Sequence, residues 1–172
     1  MVFSGLDAVA FGQGPGSFTG VRIACSVAQG LAFAHGLPVV GVSSLLALGD
    51  ETETRLFACQ DARMGEVYAA AWQKSSAGWE CVIEPVVCAA DNVPVPEGDG
   101  WVGCGSGFAA YAEPLQVRLG KQLARVDSQR YPQAARVAAL AADEYRAGRG
   151  MDPSDAVPLY VRNRVALKIV ER

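Results

Sequence analysis

Residues 12–22 have the sequence Gly12-Gln13-Gly14-Pro15-Gly16-Ser17-Phe18-Thr19-Gly20-Val21-Arg22. A short apolar run from Ala8 to Phe11 precedes this stretch, and a long helix-like segment follows it. Glycines allow the tight turn that joins a strand to a helix, and α/β folds place ligands at the carboxyl ends of their strands. The sequence therefore predicts an α/β fold that contains a strand, a glycine-rich turn and a helix in this order.

The glycine-rich turn is a candidate anion-binding loop. Ser17 or Thr19 can cap the following helix, and the free backbone N–H groups at a helix start attract anions. The turn is not a Walker loop, because no Lys-Ser/Thr pair follows the glycines, and Phe18 stands near the place of the third glycine of a dinucleotide-binding motif. Two interpretations stay open: an anion or nucleotide contact through Gly14, Gly16, Ser17 and Thr19, and a tight turn without a ligand.

The predicted helix from Phe18 to Ala34 is apolar or small almost all round. Its polar residues Arg22, Ser26 and Gln29 form one narrow stripe at helical spacing. A surface helix normally has a broad polar face. We therefore expect cover on two sides, from the helix's own sheet and from a second helix or a partner chain; burial within one domain is the alternative.

Composition narrows the class of protein. The chain has 172 residues, of which 51% are hydrophobic, so it can bury a substantial core. A net charge of −3 gives no general attraction to nucleic acid. No stretch has the apolar length of a membrane span, and no signal-peptide pattern is visible. The five cysteines form no C-x-x-C pair, which indicates reduced thiols, no zinc site and a cytoplasmic location.

The remainder of the chain divides at a charged break near residues 50–54. A buried strand and a short helix precede this break. A β-meander follows it, because runs of alternating residues are separated there by turn signals. We expect strands at residues 38–42, 55–60, 66–73, 79–84 and 101–103, and helices that begin near Phe108 and Pro132.

Four motifs resemble the TsaB (YeaZ) family. They are Gly14-Pro15-Gly16-Ser17-Phe18-Thr19-Gly20-Val21-Arg22, Asp61-Ala62-Arg63-Met64-Gly65-Glu66-Val67-Tyr68, Gly103-Cys104-Gly105 and Pro158-Leu159-Tyr160-Val161-Arg162. The resemblance implies the fold of actin, hexokinase and Hsp70 (ASKHA), with two related α/β subdomains. Residues 1–50 would be the remainder of the first subdomain, and residues 51–172 the second subdomain with an extended tail. The family has further strands and a helix before the position of Met1, so we expect this chain to lack them.

The resemblance also implies a role. Family members support the synthesis of threonylcarbamoyladenosine beside the tRNA anticodon, as non-catalytic partners of the catalytic subunit TsaD and the ATPase TsaE. ATP and metal are then expected on the partners, tRNA contact is mainly indirect, and no catalytic residue, cofactor or metal ligand is expected here. A homodimer through the helix from Phe18 to Ala34 is a further expectation. The expected interface residues are Phe18, Arg22, Cys25, Ser26 and Gln29.

Two enzyme classes are the alternatives. A kinase or ATPase of this fold needs acidic residues at two phosphate loops. A glycoprotease-like metallopeptidase needs clustered histidines or carboxylates, and the sequence has one histidine, His35. At the positions that match the two metal-binding histidines of TsaD, this chain has Ser44 and Leu48, which are not suitable ligands for iron or zinc.

Two charged groups have two interpretations each. Asp61, Arg63 and Glu66 could form a catalytic cluster, but an Asp61–Arg63 or Arg63–Glu66 pair at a hairpin turn is the favoured interpretation. Basic residues near the carboxyl end could contact tRNA phosphates, although a solvated end or a partner contact is favoured. These basic residues are Arg162, Arg164, Lys168 and Arg172.

Overall fold

The computed structural model describes residues 5–162. Its strands over this range are β1 (Val9–Gly14), β2 (Val39–Ser43), β3 (Arg55–Arg63), β4 (Glu66–Ser75), β5 (Gly78–Ala89), β6 (Trp101–Cys104) and β7 (Leu123–Asp127). Its α-helices are α1 (Phe18–His35), α2 (Gly107–Ala110), α3 (Ala112–Leu119) and α4 (Ala134–Arg146). Short 3₁₀ turns lie at Leu46–Leu48, Ala90–Asn92 and Pro153–Asp155.

The first sheet consists of the parallel strands β1 and β2. Helix α1 covers one face of this sheet through Cys25, Ala28 and Ala32. Helix α4 covers the other face, where Val137 and Leu140 pack with residues of β2. The predicted second unit, residues 51–172, contains α4, yet α4 packs on the sheet of the predicted first unit, residues 1–50. The domain boundary itself stays a prediction.

The second sheet has five strands in the order β5-β4-β3-β6-β7. The β5-β4-β3 pairs are antiparallel and the β3-β6-β7 pairs are parallel. Side chains of β3 alternate between the two faces: Phe57 packs in a core with Leu115 of α3, whereas Leu56 packs in a core with Leu48. The sheet is thus buried on both faces, one of which points toward the segment that follows β2.

Helix α1 begins and ends as its sequence predicts. The Ser17 hydroxyl oxygen accepts a hydrogen bond from the backbone N–H of Gly20 at 3.3 Å, and Gly36 ends the helix in the left-handed conformation. Within residues 5–162, no helix combines the length and apolar character that a membrane crossing requires.

Among residues 5–162, one side of α1 is covered by its own sheet, as predicted, and the second cover, from another helix or a partner chain, stays a prediction. The opposite side carries a row of three exposed apolar residues at i, i+4 and i+8 spacing, which we call the α1 outer face. Ile23 is 59% exposed and Val27 is 55% exposed. The members of the α1 outer face are Ile23, Val27 and Leu31.

Candidate functional site

The glycine turn (residues 12–17) is fixed between β2 and the carboxyl-terminal part of the chain. The backbone N–H of Gly14 donates to the Ser44 hydroxyl at 3.1 Å, and the N–H of Ser44 donates to the carbonyl of Gly14 at 2.8 Å. Gly14 has a φ of 102°, and a Cβ atom at this position would lie 3.2 Å from the carbonyl oxygen of Leu159. Glycine is therefore required at position 14 by both conformation and space.

A cleft of about 770 Å³ opens beside the glycine turn. Gly16 and Ser17 line this cleft, whereas Gly14 is buried behind the turn and Thr19 is exposed outside the lining. Of the four predicted loop residues, two therefore face the cleft. Further lining comes from residues that the sequence did not indicate, among them Gln60, Ser106 and Tyr131.

The β3–β4 hairpin forms the opposite wall of the cleft. Its turn residues Arg63 and Met64 have φ values of 63° and 57°, a left-handed conformation that is uncommon outside glycine. The Asp61 carboxylate accepts a hydrogen bond from the Arg63 backbone N–H at 2.8 Å and forms an ion pair with the Arg63 guanidinium at 3.1 Å. The predicted Asp61–Arg63 pair is thereby confirmed, while Glu66 pairs with Arg162 instead of Arg63.

Residues 156–162, the C-terminal segment, join the two sheets across this cleft. On the side of the first sheet, the N–H of Leu159 donates to the carbonyl of Gln13 at 2.7 Å. On the side of the second sheet, the Arg162 guanidinium donates to the carbonyl of Ala62 at 2.9 Å and to the Glu66 carboxylate at 2.5 Å. The segment therefore ties the glycine turn to the β3–β4 hairpin.

Two predicted interface residues contact the C-terminal segment, and their place in an interface stays a prediction. The Cys25 thiol and the Gln29 side-chain amide both donate to the carbonyl of Ala156, at 3.4 and 3.1 Å. Cys25 is buried, so its side chain lies inside the chain and not on an outer surface. The sequence missed this arrangement because Ala156 is more than 120 residues away from either partner.

Arg22 lies between the aromatic rings of two residues that line the cleft. Its guanidinium carbon is 3.3 Å from the Phe18 ring centroid and 4.8 Å from that of Tyr160. Its Nη1 donates to the carbonyl of Phe18 at 3.0 Å. Cation–π stacking thus orients Arg22, and the exposed Phe18 and Ser26 lie on the same helix.

Ser44 and Leu48, which the sequence comparison above sets against metal-binding histidines, have structural roles in this chain. The Ser44 hydroxyl accepts the hydrogen bond from Gly14 described above, and Leu48 is 2% exposed in a core with Leu45 and Leu56. Among residues 5–162, no group of three or more His, Cys, Asp or Glu side chains is placed to hold a metal ion.

All five cysteines lie in the described range and are free thiols, as the sequence predicted. Burial raises the pKa of the Cys104 thiol to about 12 and raises that of Cys59 well above its ordinary value. Since the thiolate is the nucleophile, these two buried thiols are poor candidates for chemistry. Of the basic residues near the carboxyl end, Arg162 is committed to Glu66 and Ala62, and Arg164, Lys168 and Arg172 lie outside the described residues.

Two sheets on either side of a cleft, with a glycine-rich turn at its edge, define an α/β protein of the actin, hexokinase and Hsp70 fold group (ASKHA). A family model described as TsaD, tRNA N6-adenosine threonylcarbamoyltransferase, matches residues 1–167. The tRNA threonylcarbamoyladenosine biosynthesis protein TsaB of Escherichia coli (strain K12) is 36% identical, over 95% of this chain and 74% of that protein. The protein of the same description from Haemophilus influenzae is 33% identical, over 95% of this chain and 73% of that protein.

Two solved structures of similar proteins also match the fold of this chain. A structure described as YeaZ from Pseudomonas aeruginosa matches with a TM-score of 0.83 at 36% identity, over 92% of this chain and 77% of that chain. A second structure from Pseudomonas aeruginosa, described as an uncharacterized protein with similarity to peptidase YEAZ, matches with a TM-score of 0.84 at 36% identity, over 94% of this chain and 76% of that chain. This chain therefore belongs to the TsaB (YeaZ) family, as its motifs predicted.

Proposed function

We propose that this chain supports the formation of threonylcarbamoyladenosine in tRNA as a non-catalytic subunit. The observation that carries the proposal is the 36% identity, over 95% of the chain, to a protein named for that biosynthesis. In this proposal TsaD performs the transfer, TsaE joins the complex, and ATP and metal are bound by these partners. The five free thiols are consistent with action in the cytoplasm.

The structural roles of Ser44 and Leu48 support the non-catalytic part of the proposal. A hydroxyl that holds the glycine turn and a leucine that fills a core supply no metal ligand at the positions where TsaD binds its metal. The contribution of this chain would then be to stabilise the productive conformation of TsaD, through a higher affinity for that conformation than for others.

The α1 outer face supports the partner part of the proposal. Contiguous exposed apolar residues mark sites of protein association, and Val27 at 55% exposure lies in the middle of this face. Arg22 and Phe18 lie near the amino terminus of α1 on a different side of the helix, beside the cleft, where a stacked arginine offers a second pre-organised contact. We assign this face to TsaD in the active complex, with a homodimer through the same face as the alternative pairing.

A reconstituted modification assay tests both parts. TsaD, TsaE and the enzyme that forms the threonylcarbamoyl-adenylate are incubated with tRNA, with and without this chain, and the modified nucleoside is quantified by mass spectrometry. We expect modification only when the chain is present. We further expect Val27→Asp to reduce modification about tenfold or more, because a carboxylate would be buried in an apolar interface.

The matched control is Val117→Asp on α3. Val117 is 84% exposed and does not belong to the α1 outer face, so this variant should retain full activity. Full modification without the chain would refute the proposed role. Equal losses in the two valine variants would refute the assignment of the α1 outer face.

A further inference from the structure

A second groove, the α4 groove, lies between α4, the end of β2 and the tip of the β4–β5 hairpin. Its volume is about 810 Å³, which is within the range of sites for small molecules. It shares no lining residue with the cleft beside the glycine turn. Val42, Trp79 and Leu140 give it an apolar floor and wall, and Lys74 and Arg136 supply cationic groups.

The guanidinium of Arg136 makes few hydrogen bonds within the described part of the chain. Its side chain is 13% exposed, and its Nε atom is buried without a hydrogen-bond partner among residues 5–162. Its Nη1 contacts the Glu51 carboxylate at 3.5 Å, a long distance for a hydrogen bond, and Glu51 is 75% exposed. Because the Nε atom is fully buried, an acceptor in the groove would meet the Nη groups, whose one contact among the described residues is the long one to Glu51. This guanidinium therefore has spare capacity for an acceptor.

Arg130 shows how the same side chain is satisfied elsewhere in the molecule. Its guanidinium donates to Asp127 at 2.9 Å, to Glu53 at 2.8 Å and to the carbonyl of Leu48 at 3.3 Å. Arg130 and Arg136 are buried to a similar degree. The difference between them is therefore the number of acceptors and not the depth of burial.

The groups around Arg136 indicate the chemistry of the missing acceptor. A planar guanidinium pairs best with a carboxylate or phosphate, which can accept two parallel hydrogen bonds. The Lys74 ammonium donates to the carbonyl of Glu51 at 3.0 Å and lies 5.9 Å from the Trp79 ring centroid. We propose that the α4 groove binds a small ligand with one oxyanion group on Arg136 and a flat apolar group against Trp79.

The charges of the rim favour a small ligand over a nucleic acid. Asp143 and Glu144 also line the groove, where they pair with Arg146 and Arg149, and Glu51 adds a third carboxylate. A nucleic-acid strand presents a continuous row of phosphates, whereas Arg146 and Arg149 are already paired with carboxylates, which leaves only Lys74 and Arg136 of the described lining residues to meet such a row. One localised oxyanion needs Arg136 alone, and the inference does not depend on the proposed function.

Four small probes and one oligonucleotide test the proposal on the intact chain. Benzoate and phenyl phosphate share a ring and differ in the oxyanion, benzyl alcohol has the ring without a charge, and inorganic phosphate has the charge without a ring. Binding is followed by tryptophan fluorescence and by the ¹⁵N NMR signal of the Arg136 Nε–H group. We expect saturable binding of benzoate, phenyl phosphate or both in the millimolar range or below, with benzyl alcohol and inorganic phosphate about tenfold weaker.

Variants locate the binding. Arg136→Gln should weaken the better probe about tenfold or more, since a charge-assisted bidentate contact is lost. Arg146→Gln is the matched control, because Arg146 lies on the same helix and rim but is 73% exposed, and it should change the affinity less than about twofold. If Arg136→Gln does not fold, the Nε–H signal of the unaltered chain decides the result alone.

Three results would overturn the proposal. The first is an Arg136 Nε–H signal that no small probe shifts at millimolar concentration. The second is an equal loss of affinity in Arg146→Gln, which would indicate general charge attraction. The third is binding of an oligouridylate that Arg136→Gln abolishes while the small probes do not bind, which would make the groove a nucleic-acid surface. Whichever of benzoate and phenyl phosphate binds more tightly shows whether the groove prefers a carboxylate or a phosphate.

Discussion

Individual thiols differ in reactivity because their surroundings differ. Cys81 is exposed, but partial desolvation of its sulfur and the neighbouring Glu84 raise the pKa of its thiol to about 11. Cys59 and Cys104 are buried, and burial raises the pKa of both thiols further. Reactivity in the folded chain is therefore limited by thiolate formation at Cys81 and by access at the two buried residues.

Alkylation by iodoacetamide tests this order. We expect Cys81 to react faster than Cys59 or Cys104 in the folded chain, with a rate that rises about tenfold per pH unit until the pH nears the pKa of about 11. Cys59 and Cys104 should react only after unfolding. Mass spectrometry of the labelled peptides measures each site, and the chain in urea is the control. Native labelling of Cys59 as fast as that of Cys81 would contradict the assignment.

The carboxyl group of Asp127 makes the stability of the folded chain depend on pH. Its hydrogen bond with Arg130, together with that from the Gln129 backbone, lowers the pKa of the Asp127 carboxyl below its ordinary value of 3.8. A group whose pKa is lowered by folding stabilises the folded state above the unfolded-state pKa, and this contribution is lost as the pH falls through the folded-state pKa.

Asp127→Asn should therefore be less stable than the original chain at neutral pH, and the difference should shrink as the pH falls through 3.8 and below. Asparagine keeps the shape and an acceptor for the Gln129 N–H but removes the charge. Urea unfolding of both chains between neutral and acid pH measures the difference in the free energy of unfolding. A difference that stays constant with pH would show that the charge is not the cause.

Contacts between near neighbours could be predicted, whereas those between distant residues could not. The Ser17 cap and the Asp61–Arg63 pair join residues two or three positions apart, so local chemistry determines them. Arg162 meets Glu66 across 96 positions, and no local pattern indicates which carboxylate it finds. For the same reason the sequence indicated neither the burial of Cys25 nor the spare donors of Arg136.

The sequence predicted the helices and strands that have a clear pattern of apolar residues and caps. The strand, turn and helix of β1 and α1 follow from an apolar run, glycines and a serine cap. Strand β7 was missed because its three central residues are exposed at the edge of the sheet, so it shows no apolar alternation. Which side of α1 is covered by the chain's own sheet depends on tertiary packing, and the second cover expected from a helix or a partner chain stays a prediction.

One buried carboxylate connects several elements. Glu53 precedes β3 and is 4% exposed. It forms ion pairs with Arg125 of β7 at 2.7 Å and with Arg130 after β7 at 2.8 Å, and it accepts a hydrogen bond from the Asp50 N–H at 2.9 Å. Arg130 in turn donates to the carbonyl of Leu48. The segment that follows the first sheet is thus attached to the edge of the second sheet.

Glu53→Gln should destabilise the chain by about 2 kcal/mol, because it removes the buried charge that Arg125 and Arg130 share, although Arg125 is half-exposed and Arg130 keeps its pair with Asp127. Glu51→Gln is the matched control: Glu51 is 75% exposed and contacts Arg136 at 3.5 Å, so its loss should cost less than about 0.5 kcal/mol. Urea unfolding measures both values. Similar losses in the two variants would mean that the Glu53 network does not stabilise the fold as a buried ion pair.

Across the whole molecule, the C-terminal segment spans the cleft between the sheets. The sequence motif of this segment and the resemblance to a family predicted the fold. They did not predict that the segment connects the two sheets, which only its contacts on both sides of the cleft show. The N–H of Leu159 donates to the carbonyl of Gln13 of β1, the Tyr160 ring lies tilted 6.5 Å from the Phe18 ring, and Arg162 donates to the carbonyl of Ala62 of the hairpin. The separation of the two sheets therefore depends on this segment.

Arg162→Met should loosen this connection while it keeps the apolar stem of the side chain. The variant loses the charge-assisted bonds to Glu66 and Ala62, and we expect a decrease of about 2 kcal/mol in the free energy of unfolding. Hydrogen exchange of the β3–β4 hairpin amides should rise about tenfold, since local opening no longer has to break these bonds.

The matched control is Arg63→Met, because Arg63 is 86% exposed and pairs within its own turn; it should leave hairpin exchange nearly unchanged. Faster exchange spread evenly over all strands, with no preference for the hairpin, would mean that Arg162 contributes to global stability and does not hold the two sheets together across the cleft.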